Sequence, residues 1–423
     1  MAREPSPRKL PSWLQSLGPG LITGAADDDP SGIATYSQAG AQFGPNMLWT
    51  MGFTYPLMAG VQVISARIGR VTGLGLAGNI RAHYSRPMLY LMVILLMMAN
   101  TINIAADVAA MGEAMHLIVD GNPRWYAAGF GLVSLLLQVF IPYTRYVRIL
   151  KWLTLALLAY VATVLTVRIP WGEVLRAFVW PDLPWNKASM TTLVAVFGTT
   201  ISPYLFFWQA SQEVEELNAS EHARPLRFSP RQARASFARI QFDTWTGMAF
   251  SNIVALCIML TTAITLHAHG VTEIQTSAQA ASALRPVAGD FAFFLFAMGI
   301  IGTGMLGLPV LAGSAAYAMA DTFRWREGLE RRPAEAKGFY AIISLATLGG
   351  IAIGFLPLDP IQALYWSAVL NGVIAVPVMA IMMLMASNKA VMGRFAIPSW
   401  LRWLGWTATL AMASAVFAMA LLA

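Results

Sequence analysis

The chain has 423 residues, of which 57% are hydrophobic and only 12% charged, and its mean hydropathy is +0.58. A soluble core cannot absorb that balance, so the composition calls for an all-α polytopic membrane protein. The single cysteine, Cys257, excludes an internal disulfide and a cysteine-based metal cluster, and the net charge of +7 sits in short basic segments between apolar runs rather than on a nucleic-acid surface.

Residues 1–13 are basic and lack a cleavage pattern, so they read as a retained cytoplasmic tail. The apolar runs then predict eleven spans, near 14–43, 46–70, 87–118, 124–142, 145–168, 190–216, 232–268, 281–319, 337–356, 360–386 and 400–422. The first and sixth are expected to be broken.

The first break lies in GPGLITGAADDDPSGIATYSQAGAQFG, residues 18–44. Three consecutive carboxylates, Asp27, Asp28 and Asp29, fall in mid-span, where each ionised aspartate costs at least about 2.5–3.5 kcal/mol unless a cation, water or partner compensates. Pro30 lacks an N–H, and Ser31 and Gly32 favour turns, so the pattern predicts half-helices over Leu14–Ala26 and Ile33–Phe43 with an unwound joint. Carbonyls and carboxylates at such a joint make a cation site.

The second break lies in Leu193–Gln209, where Ser202 and Pro203 interrupt an apolar run. By itself this is either a site or a proline kink whose freed carbonyl is satisfied by Ser202 or Thr199. It follows the first break by five helices and in the opposite orientation, the spacing of a 5+5 inverted repeat whose broken helices face each other across a substrate. The implied organisation is a tail (1–13), a first five-helix repeat (14–168), an external crossing rich in Pro and Trp (169–189), a second repeat (190–386) and a connecting loop with an eleventh helix (387–423).

Orientation follows from the basic residues. All but Arg124, Arg168, Arg176, Lys187 and Arg285 of the 28 Lys and Arg fall in the tail or in segments 67–86, 145–151, 224–239, 324–337 and 389–402, which places the N-terminus in the cytoplasm of a multi-pass protein of the cell membrane. Trp and Tyr near span ends fit interfacial anchoring.

Other polar residues inside spans are weaker candidates. Asp107 is either a proton or ion site or a structural partner; Asn252, Gln209 and Asn371 either lie on the ion path or bond between helices. Asp243 and Thr244 open the seventh span beside the basic loop, where a salt bridge is as good an account as an ion path. Glu213, Glu215 and Glu216 read as a solvated helix end, and the 23 methionines as packing rather than a copper pathway.

The 18–44 stretch, the following LWT and ARIGRVTG, and SNKAVMG at 387–393 resemble the Nramp family of divalent-metal transporters over nearly the whole chain, most like its magnesium-transporting relatives. The resemblance implies a LeuT-like fold and a transporter rather than an enzyme, with the lipid bilayer and divalent metal ions as partners, no cofactor and no obligatory protein partner. It also exposes departures. The family's Asp-Pro-Gly-Asn reads Asp29-Pro30-Ser31-Gly32, so the aspartate stays and the asparagine ligand is gone; its Ala-x-x-Met-Pro-His reads Thr199-Thr200-Ile201-Ser202-Pro203-Tyr204, without thioether or imidazole.

The metal set this implies, Asp29, Gly32, Thr199 and Ser202 with Asp27 and Asp28, is all oxygen, which suits a hard, partly hydrated Mg²⁺ better than Mn²⁺ or Fe²⁺. Where proton-coupled members carry third-helix glutamates, the sequence has Asn100 and Ala110, and Tyr204 replaces the histidine, so weak or absent proton coupling is expected. The alternatives are a proton-coupled Mn²⁺/Fe²⁺ importer, a transporter of organic amines on the same fold, and an intramembrane enzyme with aspartate-bound Mg²⁺; the last lacks a second acidic cluster facing the first.

Overall fold

The computed structural model describes residues 19–142, 153–220, 222–356 and 359–422, and all regular structure among them is helical. The tail, residues 14–18 and the first part of the expected fifth span lie outside these residues. The main helices are α1 (Pro19–Asp27), α2 (Pro30–Phe43), α3 (Trp49–Thr72), α4 (Leu76–His83), α5 (Arg86–His116), α6 (Pro123–Phe140), α7 (Leu158–Thr166) and α8 (Trp171–Val179). They continue with α9 (Lys187–Thr200), α10 (Pro203–Ala219), α11 (Ala233–Thr265), α12 (Ala292–Phe323), α13 (Lys337–Gly354), α14 (Pro360–Ser387) and α15 (Ser399–Leu421).

Seven helical stretches among the described residues are long and apolar enough to cross a membrane, or eight if the bent pair Leu155–Thr166 and Trp171–Val179, turned by 113°, is one span. The eleven expected spans include four that miss this measure for visible reasons. Helices α1 and α2 are short because they are two halves of one broken span. Gln62, Arg67 and Arg70 dilute α3, Arg124 and Gln138 dilute α6, and α7 has nine residues. The segment expected as a plain crossing contains a helix, α8, which buries Val174 and Ala177.

The first break is narrower than the sequence suggested, and the second lies one residue earlier than Ser202-Pro203. Asp28 and Asp29 alone separate α1 from α2, because Pro30 occupies the first turn of α2, where its missing N–H is an orphan anyway, and Asp29 caps that helix by accepting from the Gly32 N–H at 2.8 Å. Pro30, Ser31 and Gly32 are therefore helical rather than unwound. Likewise only Ile201 and Ser202 separate α9 from α10, with Pro203 at the first position.

Packing fixes the four half-helices against the long ones. A β-carbon at Gly24 of α1 would overlap the Gly247 backbone of α11, and one at Gly198 of α9 would overlap the Ala368 carbonyl of α14. Helix α5 lies against α12 as well as α6, α13 and α14.

Among the described residues, one face of the bundle brings together the basic segments 67–86 and 224–239. Arg239 pairs with Glu213 at 2.6 Å and Glu216 at 3.0 Å, the Leu226 N–H donates to the Arg70 carbonyl, Arg67 sits over the Phe237 ring at 3.8 Å, and Arg81 donates to the Asp321 carbonyl. This corrects the reading of the glutamates as a solvated end. Glu213 is fully buried, and Glu215 accepts from the Leu329 N–H at 2.6 Å; Glu216 alone stays substantially exposed. The 224–239 segment folds back over the end of α10 and supplies the counter-charge that a buried carboxylate requires.

Candidate metal site

The two breaks meet. A β-carbon at Gly32 would stand 3.3 Å from both the Asp27 carbonyl oxygen of the first break and the Thr199 Oγ1 beside the second, so the glycine forms the seam between them. Tyr36 of α2 and Thr200 of α9 share a hydrogen bond at 3.0 Å, and Tyr204 of α10 donates to Asp29 Oδ2 at 3.0 Å. Asp27, Asp28, Asp29, Thr199 and Ser202 are all at most 2% exposed.

The three aspartates do not converge. Asp29 turns toward Gly32, Tyr204 and, across α12, Gly307, whose β-carbon would lie 3.3 Å from Asp29 Cβ. Asp27 Oδ2 and Asp28 Oδ1 instead lie 2.7 and 3.0 Å from Ser251 Oγ on α11. Among the described residues no group of three His, Cys, Asp or Glu side chains is placed to hold a metal. An ion beside Asp29 would have one carboxylate plus hydroxyl and carbonyl oxygens, a set suited to a hard cation that keeps part of its water.

The second break offers such oxygens. Ser202 Oγ donates to the carbonyls of Gly198 and Thr199, both at 2.8 Å, which satisfies carbonyls freed at the helix end and leaves the hydroxyl oxygen able to accept or ligate. This bears out the kink reading of the segment and is compatible with the site reading.

The remaining candidates are dispersed. Gln209 Oε1 accepts from Thr23 Oγ1, tying α10 to α1. Asp243 Oδ2 accepts from the Gly20 N–H at 2.7 Å at the start of α1. Asn252 is half-buried and directs its amide at Met58 Sδ, 3.9 Å away. Asn371 is buried with its Oδ1 unbonded, next to Gly372, which packs on Gly198 near the second break. Asp107 is fully buried with neither oxygen bonded, and its Oδ2 lies 3.8 Å from where a Gly307 β-carbon would be. Sequence reasoning passed over Ser251, Gly307 and Asn103. Asn103 stands four residues before Asp107, the helical spacing that puts both on one face of α5.

Comparisons with known proteins agree with this architecture. The family profile described as natural resistance-associated macrophage protein-like, Nramp, matches residues 20–422. The "Divalent metal cation transporter MntH" of Klebsiella pneumoniae subsp. pneumoniae is 26% identical over 401 residues, covering 93% of this chain and 90% of that protein. Among solved structures, a mutant of the Eremococcus coleocola manganese transporter superposes with a TM-score of 0.75 at 17% identity, over 97% of this chain and 87% of the other. The nucleobase-cation-symport-1 family transporter Mhp1 in a closed conformation gives 0.57 at 13% identity, over 96% and 93%. MhsT in complex with L-phenylalanine gives 0.56 at 13%, over 95% and 97%. The fold is thus the LeuT-type transporter fold, and with its profile match running from α1 to the end of α15, the chain belongs to the Nramp family of transporters.

Proposed function

We propose that this protein carries divalent cations across the cell membrane by alternating access, with Mg²⁺ favoured and with weak or no proton coupling. The observation that carries the reading is the oxygen-only seam between the two helix breaks: Asp29, the Thr199 and Ser202 hydroxyls, and Gly32, whose missing side chain lets the breaks approach. Mg²⁺ dehydrates reluctantly and favours oxygen, so a carboxylate among hydroxyls and carbonyls suits it. The basic face is assigned to the cytoplasm by the positive-inside bias. Asp27 and Asp28 lie beside the seam, next to Ser251 Oγ. Tyr204 and Asn100 stand where a titrating relay would need acids or a histidine; Asn100 donates to the Leu311 carbonyl and Ser314 Oγ instead.

A Mn²⁺ reading is favoured by one specific feature. Met111 Sδ packs where a Gly304 β-carbon would lie, and Pro30 Cγ is 3.3 Å from that same point, so a thioether lies near the first break. The related manganese transporter makes this the competing outcome. Uptake into proteoliposomes, with Mg²⁺ and Mn²⁺ offered separately and internal pH recorded, separates them. Mg²⁺ entry without acidification, abolished by Asp29→Ala, is expected; Mn²⁺ entry with acidification and no Mg²⁺ flux would overturn the reading.

A further inference from the structure

Helix α5 presents Asn100, Asn103 and Asp107 at helical spacing, and all three are fully buried. Their hydrogen bonding differs sharply. Asn100 donates through Nδ2 to the Leu311 carbonyl and Ser314 Oγ of α12, both at 2.8 Å, while its Oδ1 is unbonded. Asn103 has neither amide atom bonded, and Asp107 neither oxygen. No lysine, arginine or histidine among the described residues forms an ion pair with Asp107. A buried amide and a buried carboxylate, both without a partner and one turn apart, are costly together, and a cation with its waters compensates both.

Opposite them, α12 withholds side chains. Gly307 is the wall between the Asp29 and Asp107 carboxylates, standing 3.3 Å from Asp29 Cβ and 3.8 Å from Asp107 Oδ2 at its absent β-carbon. Two residues later Pro309, inside the helix, cannot donate to the Met305 carbonyl, which leaves a further oxygen in the same turn. From Asp107 through Asn103 to Asn100 the file runs toward the start of α5, the end that adjoins α4 and the Arg81–Asp321 contact of the basic face.

We infer that Asp107 and Asn103 of α5, with the Gly307 turn of α12, form a second, transit site that takes a partly hydrated divalent cation from Asp29 toward the basic face. The carboxylate supplies charge, and the Asn103 amide holds metal-bound water through its oxygen. The Asn100–Ser314 pair closes the next turn and must part for release. The inference rests on the cation-transport reading and adds to it a site and a route.

The test uses the full chain with Asn103→Leu, which keeps the number and branching of side-chain heavy atoms without the polar groups, and Asn103→Ala, which removes the amide and its volume. Initial uptake of Mg²⁺ and of Mn²⁺ is measured in proteoliposomes, equilibrium Mn²⁺ binding by calorimetry and thermal melting in detergent. Both variants are expected to melt no lower than wild type, to bind at Asp29 within about twofold, and to transport about tenfold more slowly, the size of one lost hydrogen bond to a charged group. Wild-type rates in either variant would overturn the transit site. So would loss of folding in both, because it would mean that Asn103 serves a protein partner. Wild-type uptake of Mn²⁺ alone would defeat the Mg²⁺ preference, and the transit site would then stand or fall on the Mn²⁺ rates.

Discussion

Gly32 sets how closely the two breaks approach beside Asp29. Its β-carbon position is 3.3 Å from one backbone oxygen and one hydroxyl oxygen, close enough that a side chain would narrow the seam and loose enough that the Thr199 hydroxyl could yield. Gly32→Asn would press the Thr199 hydroxyl aside and offer an amide oxygen as a protein ligand beside Asp29. The expected result is a shift of about tenfold in preference from Mg²⁺ toward the more readily dehydrated Mn²⁺, read by competition uptake; an unchanged ratio would remove Gly32 from selectivity. Single residues were unevenly legible in the sequence. Asp29 could be picked out because a charge beside a proline in mid-span has few structural excuses. Whether its two neighbours point the same way could not, because that depends on Ser251, over two hundred residues away on another helix, whose hydroxyl donates toward Asp27 and Asp28. Asn103 was readable only as a position on a face, and its lack of partners emerges once α12 is packed against it.

At the scale of helices, proline placement made the breaks legible while hiding their limits. A proline marks where a helix cannot continue, yet the same residue is favoured at the first position of the next one, so Pro30 and Pro203 begin α2 and α10. The loop between α12 and α13 shows a similar limit, since its charges look solvated in sequence. Burial, together with repulsion from Asp321 and Glu215, raises the Glu327 carboxyl to about 9, against the opposing pull of Arg81 and Arg331. A carboxyl whose folded value lies above its unfolded one favours the fold while protonated; that contribution is complete below the ordinary carboxylate range and is lost as pH rises toward 9. Glu327→Gln should therefore raise the melting temperature at pH 8 and change it little at pH 4. Equal shifts at both pH values would show that Glu327 does not titrate against this loop.

For the molecule as a whole, sidedness and charge make the energetics testable without reference to any one ligand. Among the described residues, the basic segments 67–86 and 224–239 meet on one face, through Arg70, Arg81, Arg239 and their partners. If that face is cytoplasmic, an inside-negative potential of 100 mV acts on both charges of a dication and supplies about 4.6 kcal/mol, equivalent to about three orders of magnitude in concentration ratio. No proton gradient is then needed for accumulation. Proteoliposomes holding a potassium diffusion potential should concentrate the dication steeply with voltage and stop when the potential is collapsed. A protonophore added with the potential clamped should leave the rate unchanged. Uptake that instead follows an imposed pH gradient at zero potential would show that a proton route exists despite Asn100 and Tyr204, and Asp107 would be the first residue to replace, since it is the one buried carboxylate on α5 and has no protein counter-charge among the described residues.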